Sequence, residues 1–294
     1  MNFVSLIYTA LVVFQVAIIV TGGAVRLTGS GLGCPTWPEC VSGSISPIPH
    51  QAQGTLHSWI EFSNRLFTVL LVITILAAVI GAFRWGKARP DWKIIRTLAV
   101  IQILGIVAQI VLGGITVLTK LNPFAVSAHF LLSIALVAAT LSLRERIFAK
   151  ARTIVLPTTK LVIQILTGLS LIVITLGTVV TGSGPHAGDI AAKRYHIQPR
   201  LISWIHADSV IALICLTIGL LLVIKVSESQ ENRSFIGKKV LLFLIICLGQ
   251  GLIGYIQYFT HLPEALVAAH LLGAGVIWLT IWNIAFKSNA FTRQ

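Results

Sequence analysis

Residues 109–129 read QIVLGGITVLTKLNPFAVSAH, and residues 250–270 read QGLIGYIQYFTHLPEALVAAH. The two stretches share a glutamine, a glycine four residues later and a histidine sixteen residues after that glycine, at a displacement of 141 residues. In each stretch a turn separates two apolar segments, and the histidine lies just inside the second segment. Histidine is costly inside a membrane helix, so two histidines at equivalent positions predict two related functional sites.

The composition is that of a membrane protein. Of the 294 residues, 56% are hydrophobic and 11% are charged, and the mean hydropathy is +0.91. These values exclude a soluble domain, because no core could bury so much apolar surface. Apolar runs of about 20 residues, the length that spans a bilayer as a helix, recur along the chain. They predict eight transmembrane helices at about 4–24, 57–83, 94–118, 124–143, 161–181, 201–225, 239–259 and 265–286.

The first apolar run is predicted to be a helix of the mature protein. It lacks the basic start and the small-residue cleavage site of a removable signal. No mitochondrial transit signal is visible either, so we expect a multi-pass protein of a bacterial plasma membrane.

The net charge of +13 follows this topology and does not indicate a nucleic-acid partner. Of the 22 lysines and arginines, 16 lie on one predicted side of the membrane, five lie on the other side, and Arg65 lies within a helix. The basic side of a membrane protein is usually the cytoplasmic side, so we expect both termini in the cytoplasm. All eight histidines then lie toward the extracytoplasmic side.

The repeat also predicts the architecture. Each half holds four predicted helices, an even number, so the two halves should share one orientation and be related by a pseudo-twofold axis along the membrane normal. The expected fold is all-α, with two tandem four-helix bundles at residues 1–150 and 151–294. In each bundle the second and fourth helices should face each other.

The second half carries a histidine on each of two facing helices, His206 on the sixth helix and His270 on the eighth. Two imidazoles from facing helices are typical axial ligands of a six-coordinate electron-transfer haem b. The alternative is a pair of polar core histidines that are hydrogen-bonded across the helices. The related histidine in the first half favours the haem.

The first half departs from this symmetry. His129 corresponds to His270, but Asn64 lies near the counterpart of His206. A buried imidazole at His129 still predicts a porphyrin site in the first half.

Glu61 is the second unusual residue of this region. His57, Glu61 and Asn64 are spaced to share one face of the second helix, and Arg65 follows Glu61 by one turn. A carboxylate at this depth is costly unless it is paired or used. The spacing leaves two interpretations open: an intrahelical Glu61–Arg65 pair, or a proton-transfer role for Glu61 with Arg65 at a porphyrin propionate.

Four cysteines divide into two kinds. Cys34 and Cys40 lie in the outer loop after the first helix, where an oxidising compartment permits a disulfide, although a metal site or a redox-active pair is also open. Cys215 and Cys247 lie within helices and are expected to be small packing residues.

Three features together resemble the haem A synthase family. They are the stretch TGSGLGCPTWPEC at residues 28–40, the stretch IEFSNR at residues 60–65, and the two Gly…His helix pairs. The resemblance covers nearly the whole chain. It is to the bacterial type whose extracytoplasmic loop carries a cysteine pair.

This resemblance implies an enzyme that oxidises the C8 methyl of haem O to a formyl group, giving haem A for terminal oxidases. It implies a haem b cofactor held by His206 and His270 in the second half. The substrate haem would lie in the first half at His129, with Glu61 as the catalytic residue. Cys34 and Cys40 would form an outer disulfide that assists haem handling or partner contact.

The partners implied by the resemblance are the substrate haem O, a haem O synthase that hands it over, and terminal oxidase assembly factors. The lipid bilayer surrounds the protein, and self-association is left open.

One residue departs from the family pattern. The usual Glu-x-x-His-Arg motif reads Glu61-Phe62-Ser63-Asn64-Arg65, so its histidine is absent. Either the substrate iron is five-coordinate through His129, with Asn64 and Glu61 over an open face, or His57 takes the place of the missing ligand. Seven residues displace His57 by about 10 Å along the helix, which favours the first interpretation.

Two other functions compete with this one. A di-haem b-type cytochrome that takes electrons from quinol would explain the histidines, but it predicts a fourth axial histidine and sites on both membrane sides. A transporter built on parallel repeats would place Glu61 and Arg65 in its substrate path. However, no intramembrane proline marks the broken helix that such transporters often carry.

Overall fold

The computed structural model of the protein describes residues 3–148, 151–190 and 192–291. Within these residues, eight helices are long and apolar enough to cross a membrane, which confirms the predicted class. They are α1 Phe3–Leu27, α2 Thr55–Trp85, α3 Trp92–Leu118, α4 Pro123–Ile147, α5 Pro157–Ser183, α6 Pro199–Ser227, α7 Gln230–Phe259 and α8 Glu264–Lys287. The described residues contain no strand, only an isolated bridge between Val41 and Ser44.

Several helices extend beyond their apolar runs, and a side-chain cap lies at the start of two of them, α4 and α7. The side chain of Asn122 accepts the backbone N–H of Phe124 at 3.0 Å, and a proline follows as the first residue of α4. Ser229 accepts the N–H of Asn232 at 3.3 Å, so α7 begins well before residue 239. A π-helical turn at Arg233–Gly237 then leads into the apolar part of α7.

The chain divides into two compact units. The first contains the residues up to Phe148 together with Thr178–Pro199, and the second contains the rest. The pseudo-twofold axis and the assignment of one haem site to each half stay predictions.

In the first unit, α1 packs on α2 and α4, α2 packs on α3, and α3 packs on α4. The dense core of this bundle lies mainly at one end, where α1 and α3 begin and α2 and α4 end. Its fully buried members are Tyr8, Leu11, Ile75, Ala78, Ala82, Ile95, Ala99 and Leu143. Tyr8 donates a hydrogen bond to the carbonyl of Ala78 at 2.8 Å and so joins α1 to α2 at this end.

The second unit has the same distribution of packing. Most of its buried apolar residues lie toward the start of α5 and α7 and the end of α6 and α8, while Ile202, Val173 and Ile174 lie nearer the other end. They include Ile163, Leu166, Leu213, Leu220, Ile224, Val240, Phe243, Ile281 and Ile284. In both units, the candidate histidines lie near the opposite ends of their helices.

Candidate functional site

In the second unit, His206 and His270 face each other near the starts of α6 and α8. Their ring centroids are 6.4 Å apart and the ring planes are inclined by 73°. Two imidazoles that ligate one first-row metal from opposite sides have centroids about 6 Å apart, since each metal–nitrogen bond is about 2 Å and each ring adds about 1 Å. The pair therefore has the separation expected of two axial ligands of one iron.

Each of the two rings packs against a glycine on a neighbouring helix. A Cβ built on Gly177 of α5 would lie 3.4 Å from Cε1 of His206, and a Cβ built on Gly254 of α7 would lie 3.3 Å from Cε1 of His270. A side chain larger than a methyl group at either position would displace the imidazole. These glycines therefore allow each ring to lie close against a helix backbone.

The Nδ1 atoms of both rings are buried and lack a hydrogen-bond partner among the described residues. The backbones of Val173 and Gln250 lie beside His206 and His270. An imidazole that binds a metal through Nε2 usually donates Nδ1–H to an outer acceptor such as a backbone carbonyl.

Gln250 holds the main chain of His270 as well. Its side-chain Nε2 donates to the carbonyl oxygen of His270. Gly273 makes room for this contact, because a Cβ at that position would collide with the amide of Gln250.

The first unit repeats this arrangement around His129. Nε2 of Gln109 donates to the carbonyl of His129 at 3.2 Å and to Oγ of Ser133 at 2.7 Å. A Cβ built on Gly113 would lie 3.5 Å from Cε1 of His129, whose Nδ1 is buried without a partner among the described residues. The glutamine, glycine and histidine of the sequence repeat are therefore one contact set in each unit.

Glu61 lies at the centre of a second group of contacts. Its residue is 5% exposed, so the carboxylate is almost fully enclosed. Oε1 accepts from Arg65 at 2.7 Å, and Oε2 accepts the backbone N–H of Cys34 at 2.7 Å. The intrahelical Glu61–Arg65 pair is present, and an outer loop closes over it.

Arg65 binds the same loop through its guanidinium. It donates to the carbonyls of Cys34, Thr36 and Glu39, each at 3.1 Å. Arg65 therefore fixes the loop over Glu61 in this structure, and a role at a haem propionate stays a prediction.

The outer loop is closed by the predicted cysteine pair. Cys34 and Cys40 form a disulfide, and both are fully buried. Gly114 on α3 makes room for Trp37 of the loop, since a Cβ there would lie 2.6 Å from Cδ2 of the indole. The disulfide-bonded segment thus lies against α2 and α3 and shields Glu61 from solvent.

The other two predicted residues of α2 have different surroundings. Nδ1 of His57 is hydrogen-bonded to Oγ of Ser30 at 3.0 Å, whereas Oδ1 of Asn64 accepts from Thr21 at 2.7 Å. Asn64 and Thr21 line a cavity of about 420 Å³ between α1 and α2. The other lining residues are Ala24, Trp59, Ile60, Ser63 and Phe67. His57 is absent from this lining, so only Asn64 of the two contacts the open space.

The sequence did not predict several of these contacts. Residues Gln109 and Gln250 were visible in the repeat, but nothing in their spacing assigned them a partner. The bond between the Cys34 backbone and Glu61 depends on the conformation of the loop, which has no sequence signal beyond the cysteine pair and its prolines.

Comparison with known proteins places the chain in a family. A family model described as cytochrome oxidase assembly protein (COX15-CtaA) matches residues 5–282. The chain belongs to the haem A synthase family.

Individual relatives carry the same family name. The chain is 29% identical to heme A synthase of Geobacillus thermodenitrificans over 119 residues, which is 40% of this chain and 35% of that protein. It is 32% identical to heme A synthase of Bacillus pumilus over 154 residues, 52% of this chain and 48% of the relative. For the protein of Lysinibacillus sphaericus the identity is 33% over 140 residues, 47% and 43% of the two chains. Each match spans less than half of the relative's length.

Proposed function

We propose that this protein oxidises the C8 methyl of haem O to a formyl group and so makes haem A. Membership of the haem A synthase family supports an oxidoreductase in haem A biosynthesis. The observation that carries the proposal further is the 6.4 Å separation of the His206 and His270 rings, which suits one iron between them.

The second unit would hold the cofactor, a haem b. His206 and His270 would fill both axial positions, and Gly177 and Gly254 would leave room for their rings. A haem bound in this way supplies electron transfer. The described residues support this assignment because both imidazoles lie near the same end of the unit and their ring centroids are 6.4 Å apart.

The first unit would hold the substrate. His129 is the one histidine there whose ring lies buried against a neighbouring helix at the repeat position, so it would bind the substrate iron. Asn64, near the counterpart of His206 in the repeat, would not supply a second ligand. His57, which is bonded to Ser30, would take no part in ligation.

Converting the methyl group to a formyl group with one oxygen atom from water releases four protons and four electrons. Glu61 would accept these protons, and the electrons would pass to an external electron acceptor. The contacts of Glu61 with Arg65 and the Cys34 N–H stabilise the ionised carboxylate, which is the form that accepts a proton. The closed outer loop would keep water away from this group during the reaction.

The charge bias of the sequence supports both termini in the cytoplasm and both haem sites toward the extracytoplasmic side. Haem O synthase and terminal oxidase assembly factors would then be the expected partners, as donor of the substrate and acceptors of the product.

The test is to purify the protein in mild detergent, extract its non-covalent haems and separate them against haem B, O and A standards. We expect haem B together with haem O, haem A or a hydroxylated intermediate. Two equivalents of haem B alone would instead support a di-haem cytochrome, and a protein free of haem would overturn the proposal.

A further inference from the structure

Two buried glutamines contact the proposed haem ligands in the same way. Gln109 on α3 is 9% exposed and Gln250 on α7 is 8% exposed, and each donates its Nε2 to the carbonyl of the histidine twenty residues later. A buried amide in a membrane helix is costly unless it forms such bonds. The contact occurs in both units, so two independent sites show the same arrangement.

The glycine of the repeat completes the contact. Gly113 and Gly254 each follow their glutamine by four residues, so glutamine and glycine share one face of the helix one turn apart. The glutamine holds the carbonyl of the histidine, and the glycine receives its ring. Each histidine is therefore held at its main chain and at its imidazole by one neighbouring helix.

We propose that Gln109 and Gln250 are positioning residues that set the orientation of the iron-binding imidazoles of His129 and His270. A helix carbonyl already accepts the N–H four residues later, so a second donor from a neighbouring helix fixes the rotation of the histidine's helix about its own axis. The orientation of the imidazole then follows from the packing of its edge on the glycine. This inference rests on the proposed haem-binding function.

The two units support the glutamine differently. In the first unit, Ser133 binds both Gln109 and the His129 carbonyl, which gives a closed triangle of three hydrogen bonds. In the second unit, Ala274 occupies the equivalent position, and Gly273 instead provides space for the amide of Gln250. Gln250 thus has fewer other bonds, and its substitution should affect the histidine most directly.

The experiment compares Gln250→Met with Gln164→Met in the purified full-length protein. Methionine has nearly the shape of glutamine but cannot donate. Gln164 on α5 is a matched control, because its Nε2 also donates to a backbone carbonyl of the same unit, that of Ala290, at 2.6 Å. Both variants lose the same kind of bond, but only one of these bonds reaches a histidine.

The first readout is the low-spin ferric haem signal in electron paramagnetic resonance, whose g-values depend on the orientation of the axial imidazole planes. The second readout is the rate of haem transfer to apomyoglobin. In Gln250→Met we expect altered g-values and haem loss about 10-fold faster, the usual scale for losing a group that orients a metal ligand. Gln164→Met should leave both unchanged. Unchanged g-values and haem loss in Gln250→Met would overturn the inference.

A second variant covers the case in which Gln250→Met does not fold. Gly273→Ala keeps the amide but pushes it away from the His270 carbonyl, so it should change the g-values in the same way. Wild-type values in this variant would also count against the inference. Absence of any low-spin haem from the wild-type protein would instead refute the proposed haem b site, so the two failures are distinguishable.

Discussion

At the scale of single residues, the structure gives the polar side chains of α2 three separate environments. Glu61 is enclosed by Arg65 and the Cys34 backbone, Asn64 lines a cavity, and His57 is bonded to Ser30. The sequence predicted that these side chains share a helix face. It could not predict which of them contacts an open space, because that depends on where the outer loop lies.

Replacing the carboxylate tests its role as proton acceptor. In Glu61→Gln the amide can still accept the Cys34 N–H, so both haems should stay bound, but oxidation of haem O should fall at least about 100-fold. The measurement is the ratio of haem O to haem A in extracts of cells that express the variant. Glu39→Gln, a nearby carboxylate that accepts the Gly43 N–H, is the control and should keep wild-type activity. Full activity of Glu61→Gln would refute the proton role.

A substitution at Asn64 tests the proposed iron coordination of the substrate site. An imidazole in place of its amide would line the same cavity, so Asn64→His should convert bound haem O from a high-spin to a low-spin six-coordinate spectrum. His57→Ala should leave the optical spectrum of the wild-type protein unchanged, since His57 is bonded to Ser30 outside the cavity lining. Loss of haem O from His57→Ala would show that His57 is a ligand after all.

At the scale of the elements, the sequence predicted the eight helices but not where they end. Long apolar runs indicate the spans directly, whereas the early start of α7 coincides with a single capping bond of Ser229. The repeat of Gln, Gly and His was likewise visible in the sequence. Its meaning became clear only from the packing of α3 on α4 and of α7 on α8, which brings residues twenty positions apart into contact.

Loss of the disulfide in the outer loop should affect the substrate site and leave the haem b site unchanged. Closing a loop as short as that between Cys34 and Cys40 contributes about 2 kcal/mol to stability. In the double variant Cys34→Ser, Cys40→Ser we expect a lower unfolding temperature and slower oxidation of haem O, because Glu61 and Arg65 lose a fixed loop as partner.

The haem b signal of that double variant should stay as in the wild type. Cys215→Ser, at an exposed free cysteine of α6, is the control and should change neither property. Wild-type oxidation rates in the double variant would show that the loop does not support Glu61.

At the scale of the whole molecule, composition alone predicted a helical membrane protein, and the family match over residues 5–282 agrees. The long continuous apolar runs predict helices, in which every backbone polar group is satisfied within the bilayer. What composition could not predict is the distribution of packing along each unit. That depends on which apolar residues face inward, and in a chain this hydrophobic nearly every helix face is apolar.

The largest apolar core of the first unit lies at the end opposite its histidines, and this bears on the order of assembly. Such a core can stabilise the bundle in the bilayer before any porphyrin arrives. The histidine ends then need only local opening, of much lower free energy than global unfolding, to admit a large flat ligand. Insertion into the membrane and acquisition of haem would thus be separate events. A newly made chain would first fold at the end of its helices opposite the histidines and would bind its porphyrins later.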